Sequence, residues 1–138
     1  MTIRRVLIIE DSPTDVLLFR EAISECDIEV VVDIVPTWPD AYELLNDGSL
    51  LFSLILLDLN LPIIGGKEIV HLIREGGMYV PIVVLSTSSS SVDIHSCYKA
   101  GVNGYVVKPY DIEQLFDVMC ITFKWWLEVN KLVDERYE

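Results

Sequence analysis

Polar side chains that could do chemistry directly follow short apolar blocks in this chain of 138 residues. They are Glu10, Asp11, Asp58, Ser86 and Lys108. Three carboxylates at separations of ~5 Å would repel one another by roughly 3 kcal/mol per pair at an effective dielectric constant of about 20, and a cation would relieve this repulsion. Because oxygen ligands favour Mg²⁺, the acidic members of the set predict a magnesium site.

The other two members of the set suit a phosphoryl group. The Lys108 ammonium group supplies a positive charge, and the Ser86 hydroxyl group can donate a hydrogen bond to a phosphoryl oxygen. Mg²⁺ typically takes one or two protein carboxylates together with phosphate oxygens. A carboxylate beside a metal, a cation and a hydroxyl group predicts an aspartate that accepts a phosphoryl group.

The apolar blocks must be neighbouring strands if these side chains are to meet. Five blocks rich in Leu and β-branched residues lie at about 5–9, 29–34, 53–57, 81–85 and 103–107. The central blocks are apolar at nearly every position, which is typical of strands buried on both faces of a sheet. We therefore predict five strands, of which the central ones are buried.

Helix signals separate the predicted strands. The first helix is predicted from Ser12 as the N-cap, Pro13 at the first helical position and Asp15 in the first turn. The other helices are predicted over about 39–45, 67–74, 92–100 and 111–133. Strands and helices in alternation predict an α/β fold with a doubly wound five-stranded parallel sheet. Ligands bind at the carboxyl ends of the strands in such sheets, so the polar set would converge there.

Composition and charge narrow the function classes. The length is that of one domain, and 22 Asp and Glu oppose 10 Lys and Arg to give a net charge of -12 at pH 7. This charge would repel phosphate backbones and anionic lipid surfaces. No apolar block approaches the ~18 residues of a membrane span, and the N-terminus lacks the features of a signal peptide. We expect a cytoplasmic protein that binds neither nucleic acid nor membranes.

The cysteines show no pattern of their own. Cys26, Cys97 and Cys120 are odd in number and have no CxxC spacing, so neither a disulfide framework nor a zinc site is indicated. We expect all three to be reduced packing residues.

Four motifs follow one another in the order and register of a known family, at residues 6–13, 54–62 with Gly66, 81–86 and 104–109. Over residues 4–124 the chain resembles the receiver domains of two-component response regulators. It is most similar to the stand-alone regulators associated with bacterial phytochromes. The resemblance implies a flavodoxin-like receiver fold with strand order 2-1-3-4-5. It also implies a receiver domain over residues 1–124, a C-terminal helix extension over 125–138, and no output domain.

The resemblance implies roles for the acidic residues. Asp58 is the phosphoacceptor and a metal ligand, Asp11 is a direct Mg²⁺ ligand, and Glu10 acts on the metal through water. Asn60 would offer its backbone carbonyl oxygen to the same ion. Gly65 departs from the family pattern, since many receivers have Asp at this position, and the change could loosen the loop after the acceptor.

The resemblance also implies the phosphate-binding and switch residues. Lys108 would pair with the phosphate, Ser86 would be both a catalytic and a switch hydroxyl, and Tyr105 would be the aromatic switch. Ser86 stands where Thr is commoner, which keeps the hydroxyl group. We interpret the serines at 88–91 as a flexible loop that ends in a helix N-cap, with Ser88 able to shape water access to the phosphate.

The implied function is that of a single-domain response regulator, which accepts a phosphoryl group from a sensor histidine kinase and signals through protein contacts. A phytochrome is the candidate kinase, and the chain would catalyse only its own phosphorylation and dephosphorylation. Two alternatives remain. A phosphohydrolase of the haloacid dehalogenase type needs a second acid where Asn60 stands. A flavodoxin-like cofactor binder needs a phosphate-cradling loop after the first strand, where Glu10 and Asp11 would repel phosphate.

The last predicted helix, from Asp111 to about Val133, is nearly twice the length of about 12 residues that covers a strand. Its apolar residues form more than one stripe: Val118, Met119, Cys120, Ile121, Phe123, Trp125, Trp126, Leu127 and Val129. We predict a two-fold homodimer through this helix, with Trp125 and Trp126 as anchors. In the alternative, the excess apolar surface folds back onto its own domain.

Overall fold

The computed structural model describes residues 4–59, 61 and 65–131. Within these residues the strands are β1 Arg4–Ile9, β2 Val30–Val35, β3 Leu54–Asp58, β4 Ile82–Ser86 and β5 Gly104–Val107. The helices are α1 Pro13–Glu25, α2 Trp38–Leu45, α3 Gly66–Glu75, α4 Ser91–Ala100 and α5 Ile112–Lys124, and the π-helical turn Trp125–Val129 continues α5. None of the described helices is long and apolar enough to cross a membrane.

The five strands form one parallel sheet in the order β2-β1-β3-β4-β5, which confirms the predicted fold class and topology. The register of the strand pairs aligns the carboxyl ends of neighbouring strands. Ile9 pairs with Leu57, so the residues that follow them, Glu10 and Asp58, are neighbours at the carboxyl edge of the sheet. Ser86 of β4 pairs with Val107 of β5, so Lys108, the residue after Val107, lies at the same edge of the sheet.

The helix starts follow the signals in the sequence. The Ser12 hydroxyl oxygen accepts a hydrogen bond from the Asp15 N–H at 3.3 Å, and the Asp111 carboxylate accepts one from the Gln114 N–H at 3.0 Å. Both bonds satisfy an N–H group that has no partner within its helix. Gly101 ends α4 with φ of 119°, a left-handed conformation that glycine adopts without steric cost.

Alternate side chains of the central strands enter two separate cores, because successive residues of a strand point to opposite faces. Leu7 and Ile55 lie in the core that α2, α3 and α4 cover. Ile8 and Leu56 lie in the core that α1 and α5 cover. Both faces of the sheet are therefore buried, as the apolar blocks predict.

The last helix differs from its prediction in length. The helical run ends at Asn130, which has extended backbone, whereas the sequence predicts helix to about Val133, a residue outside the described part of the chain. Leu127 is buried in the core beneath α1 and α5, and Trp126 packs against the same core. The alternative that the excess apolar surface folds back onto its own domain thus holds for these two residues.

The cysteine prediction is wrong for two of the three residues. Cys26, at the C-terminus of α1, forms a disulfide with Cys120 of α5, and their Cα atoms are 5.4 Å apart. The two residues are 94 positions apart in sequence. They meet because α1 and α5 pack side by side on one face of the sheet, which no local spacing reveals. Cys97 is free and buried, as predicted.

Candidate functional site

Three carboxylates meet at the carboxyl edge of the sheet. Glu10 and Asp11 follow β1, Asp58 ends β3, and the three residues each offer a carboxylate oxygen within 4.8 Å of the others. Glu10 is buried, Asp58 is half-buried and Asp11 is exposed. The cluster therefore runs from the protein interior to the surface. Asn60, the fourth predicted metal ligand, lies outside the described residues.

The buried end of the cluster is Glu10, whose two carboxylate oxygens have different contacts. One Glu10 carboxylate oxygen, Oε2, accepts a hydrogen bond from the Ser12 N–H at 3.3 Å. The other, Oε1, accepts no hydrogen bond from any residue that the structure describes and lies 3.5 Å from Lys108 Nζ. Burial raises the pKa of Glu10 to about 8, and the hydrogen-bonded, negatively charged Asp58 carboxyl group adds to this rise. Glu10 therefore holds a proton at neutral pH when no metal is bound.

The donor set fits a divalent cation. Carboxylate oxygens are hard ligands, and Glu10 Oε1, which has no hydrogen-bond donor among the described residues, can turn to a metal or to its bound water. A dication would also oppose the repulsion among the three carboxylates. The predicted metal residues Glu10, Asp11 and Asp58 are thus brought together in an arrangement suited to such an ion.

Gly66, at the start of α3, lies close to the end of β3. The Gly66 N–H donates a hydrogen bond to the Leu59 carbonyl oxygen at 3.2 Å. A Cβ atom on Gly66 would lie 2.9 Å from Leu59 Cα and 3.1 Å from the Asp58 carbonyl oxygen, closer than side chains normally approach backbone. Glycine at this position allows α3 to begin directly beside Asp58.

Lys108 points toward the acidic cluster, and it also contacts a residue that sequence reasoning missed. Its Nζ atom donates a hydrogen bond to Asp15 Oδ2 at 3.0 Å. From the sequence alone, Asp15 is predicted only to lie in the first turn of a helix. Asp15 lies four residues after Asp11, on the helix that begins at the same sheet edge, and this position could have indicated that its side chain lies near the site. Asp15 and Glu10 raise the pKa of Lys108 against the opposing effect of its burial, so the ammonium group stays charged.

The two predicted switch residues, Ser86 and Tyr105, are connected by hydrogen bonds through Ser88. Ser86 is buried, and its hydroxyl oxygen accepts a hydrogen bond from the Ser88 N–H at 3.1 Å. The Tyr105 hydroxyl group donates to the Ser88 carbonyl oxygen at 2.8 Å, and the Ser88 hydroxyl group donates to Asp93 Oδ2 at 2.6 Å. Ser88 thus links Ser86, Tyr105 and α4, a role that the interpretation of 88–91 as a flexible loop did not include.

A parallel five-stranded sheet with an acidic cluster at its carboxyl edge, a lysine after β5 and a hydroxyl after β4 has the organisation of a phosphorylation-dependent signalling domain. Residues 6–119 match the family model described as the response regulator receiver domain. The chain belongs to this family.

Relatives place it near the stand-alone regulators. It is 32% identical over 134 residues to the response regulator Rcp1 of Synechocystis, a match that covers 92% of this chain and 91% of Rcp1. The crystal structure of the phosphorylated cyanobacterial phytochrome response regulator RcpA superposes with a TM-score of 0.87 at 30% identity, and covers 96% of this chain and 100% of RcpA. The Mn²⁺-bound form of Rcp1 gives a TM-score of 0.82 at 30% identity, over 95% of this chain and 99% of that one. The chain is therefore a receiver domain homologous to stand-alone, phytochrome-associated response regulators.

Proposed function

We propose that Asp58 accepts a phosphoryl group from a phosphohistidine of a sensor histidine kinase, and that the modified chain signals through altered protein contacts. The observation that carries this proposal is the position of Asp58 at the end of β3, in one cluster with Glu10 and Asp11 and next to the half-buried cation Lys108. This arrangement supplies a nucleophile, metal ligands and a positive charge at a single edge of the sheet.

The reaction follows from these residues. A carboxylate oxygen of Asp58 forms a bond to phosphorus as the phosphorus–nitrogen bond of phosphohistidine breaks, and the electron pair returns to the imidazole nitrogen. Asp11, Asp58 and, through water, Glu10 would hold Mg²⁺, with the Asn60 carbonyl oxygen as a further ligand. When bound, the ion supplies positive charge to the phosphoryl oxygens. Lys108 and Ser86 would bind the remaining phosphoryl oxygens.

We infer that catalysis is limited to the chain's own phosphorylation and dephosphorylation. A phosphohydrolase acting on external substrates needs a general acid near the nucleophile, and the residue two positions after Asp58 is an amide, Asn60. A cofactor binder would place phosphate at the start of α1, where Glu10 and Asp11 repel it.

The test is phosphorylation by acetyl phosphate with Mg²⁺, followed by intact mass spectrometry. The wild type should gain one phosphoryl group, and Asp58→Asn should gain none because an amide is a poor nucleophile. Asp40→Asn, which makes the same change at the exposed start of α2, is the matched control and should behave as the wild type. Equal incorporation into the Asp58 variant and the wild type would contradict the assignment.

The partner and domain proposals follow from the family. We propose a histidine kinase partner, with a phytochrome as the candidate, and a cytoplasmic location. Residues 1–124 would form the receiver domain, and the helical turn Trp125–Val129 would extend its last helix. Phosphotransfer from a panel of histidine kinases would identify the partner.

We further propose a homodimer through the last helix, with a revised anchor. Trp126 packs against its own core, so it is not available as the predicted anchor. Ile121, Trp125 and Val129 recur every fourth residue and are 66%, 51% and 59% exposed. Residues four apart share one side of a helix, so these three form an apolar stripe that a second copy would bury.

Analytical ultracentrifugation tests the dimer. The wild type should sediment at twice the 15.7 kDa of one chain, and Trp125→Glu should sediment as a monomer. Tyr79→Glu places the same charge on an aromatic residue that is 59% exposed outside the stripe, and should remain dimeric. A wild type that stays monomeric at micromolar concentration, both unmodified and phosphorylated, would refute the dimer.

A further inference from the structure

We propose that Asp15 is a positioning residue of the phosphorylation site, which holds the Lys108 ammonium group at α1 in the resting protein and competes for it with the incoming phosphoryl group. The inference rests on the proposed function of Asp58 and adds a residue that sequence reasoning did not connect to the reaction. Asp15 and Lys108 are 93 positions apart, so only the folded chain brings them together.

The ammonium group lies in a niche formed by β1 and α1. Nζ is 3.0 Å from Asp15 Oδ2, 3.5 Å from Glu10 Oε1 and 5.6 Å from the ring centroid of Phe19, one turn beyond Asp15 on α1. Phe19 is only 2% exposed, and the Lys108 side chain is 13% exposed. An ammonium group with so little solvent depends on these contacts for its position.

Asp15 itself is fixed by the helix start. Its N–H donates to the Ser12 hydroxyl oxygen at 3.3 Å, so the N-cap determines where the side chain leaves α1. A carboxylate in the first turn is also stabilised by the helix dipole, whether or not Lys108 is present. Asp15 is therefore a fixed anion, and the flexible lysine is the partner that can move.

The competition follows from charge. A phosphoryl group on Asp58 brings about 1.5 to 2 negative charges and three acceptor oxygens, more than the single charge of Asp15. The Asp15 side chain is 28% exposed, so solvent weakens its attraction and the ammonium group can be transferred to the phosphoryl oxygens. Loss of the Asp15 charge should thus favour the phosphorylated arrangement.

The experiment measures binding of beryllofluoride, a phosphoryl mimic, in the presence of Mg²⁺. Asp15→Asn should bind it about fivefold more tightly than the wild type, because no carboxylate competes for Lys108. Asp15→Glu, which restores the charge, should return affinity toward the wild-type value. Asp40→Asn removes the same charge from the first turn of α2 and should leave affinity unchanged. Unchanged or weaker binding by Asp15→Asn, or equal tightening in both Asn variants, would overturn the proposal.

A second measurement uses the wild type alone and does not depend on the folding of a variant. The side-chain carboxyl ¹³C resonance of Asp15 should shift when beryllofluoride binds, because the ammonium group leaves it. Binding without such a shift would overturn the role of Asp15 and leave the proposed function intact. A wild type that neither binds beryllofluoride nor accepts phosphate would overturn both.

Discussion

The two halves of the sheet edge are stabilised in different ways. At β1 and β3 three carboxyl groups lie together, those of Glu10, Asp11 and Asp58, and the pKa of Glu10 is raised to about 8 by burial and by Asp58. At β4 and β5, Ser86 and Tyr105 have hydrogen-bond partners within the protein. We call the first region the acidic half and the second the hydroxyl half. The acidic half needs a bound cation or a proton to relieve its charge repulsion. The hydroxyl half already has its hydrogen bonds, so it can rearrange when the charge of the acidic half changes.

The largest expected effect concerns the metal in the acidic half. Asp11→Ala should weaken Mg²⁺ binding by about 100-fold, equivalent to about 2.7 kcal/mol, because it would remove a charged ligand from the proposed metal site, which has few protein ligands. Isothermal titration calorimetry would measure the change. Ser86→Ala, in the hydroxyl half, is the control and should bind Mg²⁺ as the wild type does. Equal weakening of Mg²⁺ binding in both variants would contradict the assignment of the metal site to the acidic half.

The stability of the metal-free protein should fall as pH rises. The folded state binds the Glu10 proton up to a pKa of about 8, whereas the unfolded chain releases it near 4.5, so between these values the folded state holds one more proton. The free energy of unfolding should then decrease by about 1.4 kcal/mol per pH unit, or about 2 kcal/mol from about pH 6 to about pH 7.5. Urea unfolding with and without the Glu10→Gln substitution tests this, since the variant should lose the slope. If the variant keeps the same dependence of unfolding free energy on pH, groups other than Glu10 cause that dependence.

Mg²⁺ affinity should depend on pH in the opposite direction. The proposed metal site uses an ionised Glu10, so below a pKa of about 8 the metal would have to displace a proton and its affinity should fall by up to about tenfold per pH unit. Calorimetry in buffers of different ionisation enthalpy would count the protons released. Release of no proton at pH 7 would contradict the raised pKa.

The smallest effect concerns the hydroxyl half. Tyr105→Phe removes the hydrogen bond to the Ser88 carbonyl oxygen and should cost about 1 kcal/mol of unfolding free energy. The cost should be the same with and without Mg²⁺, because this bond lies outside the charged cluster. Tyr98→Phe, at a residue that is 48% exposed, is the control and should change stability little. A Tyr105 effect that vanishes when Mg²⁺ binds would show that the two halves are already coupled before phosphorylation.

Local signals in the sequence determined much of this architecture. Apolar blocks of strand length and N-caps at Ser12 and Asp111 act between near neighbours, so they predict the strands and the helix starts to within about a residue or two. The parallel sheet follows from their alternation, and it places Glu10, Asp58 and Lys108 at one edge. The predicted site is therefore mostly a consequence of where each strand ends.

Only the tertiary structure decided which distant side chains became partners. Cys26 meets Cys120 because α1 and α5 are adjacent, and Lys108 meets Asp15 across 93 positions. Trp126 faces its own core, whereas the neighbouring Trp125 is half-exposed. A residue's type and its near neighbours are the same in any packing, but its partners depend on the relative placement of whole helices. The packing of the complete core sets the relative placement of the helices, so no short stretch of sequence is enough to predict it.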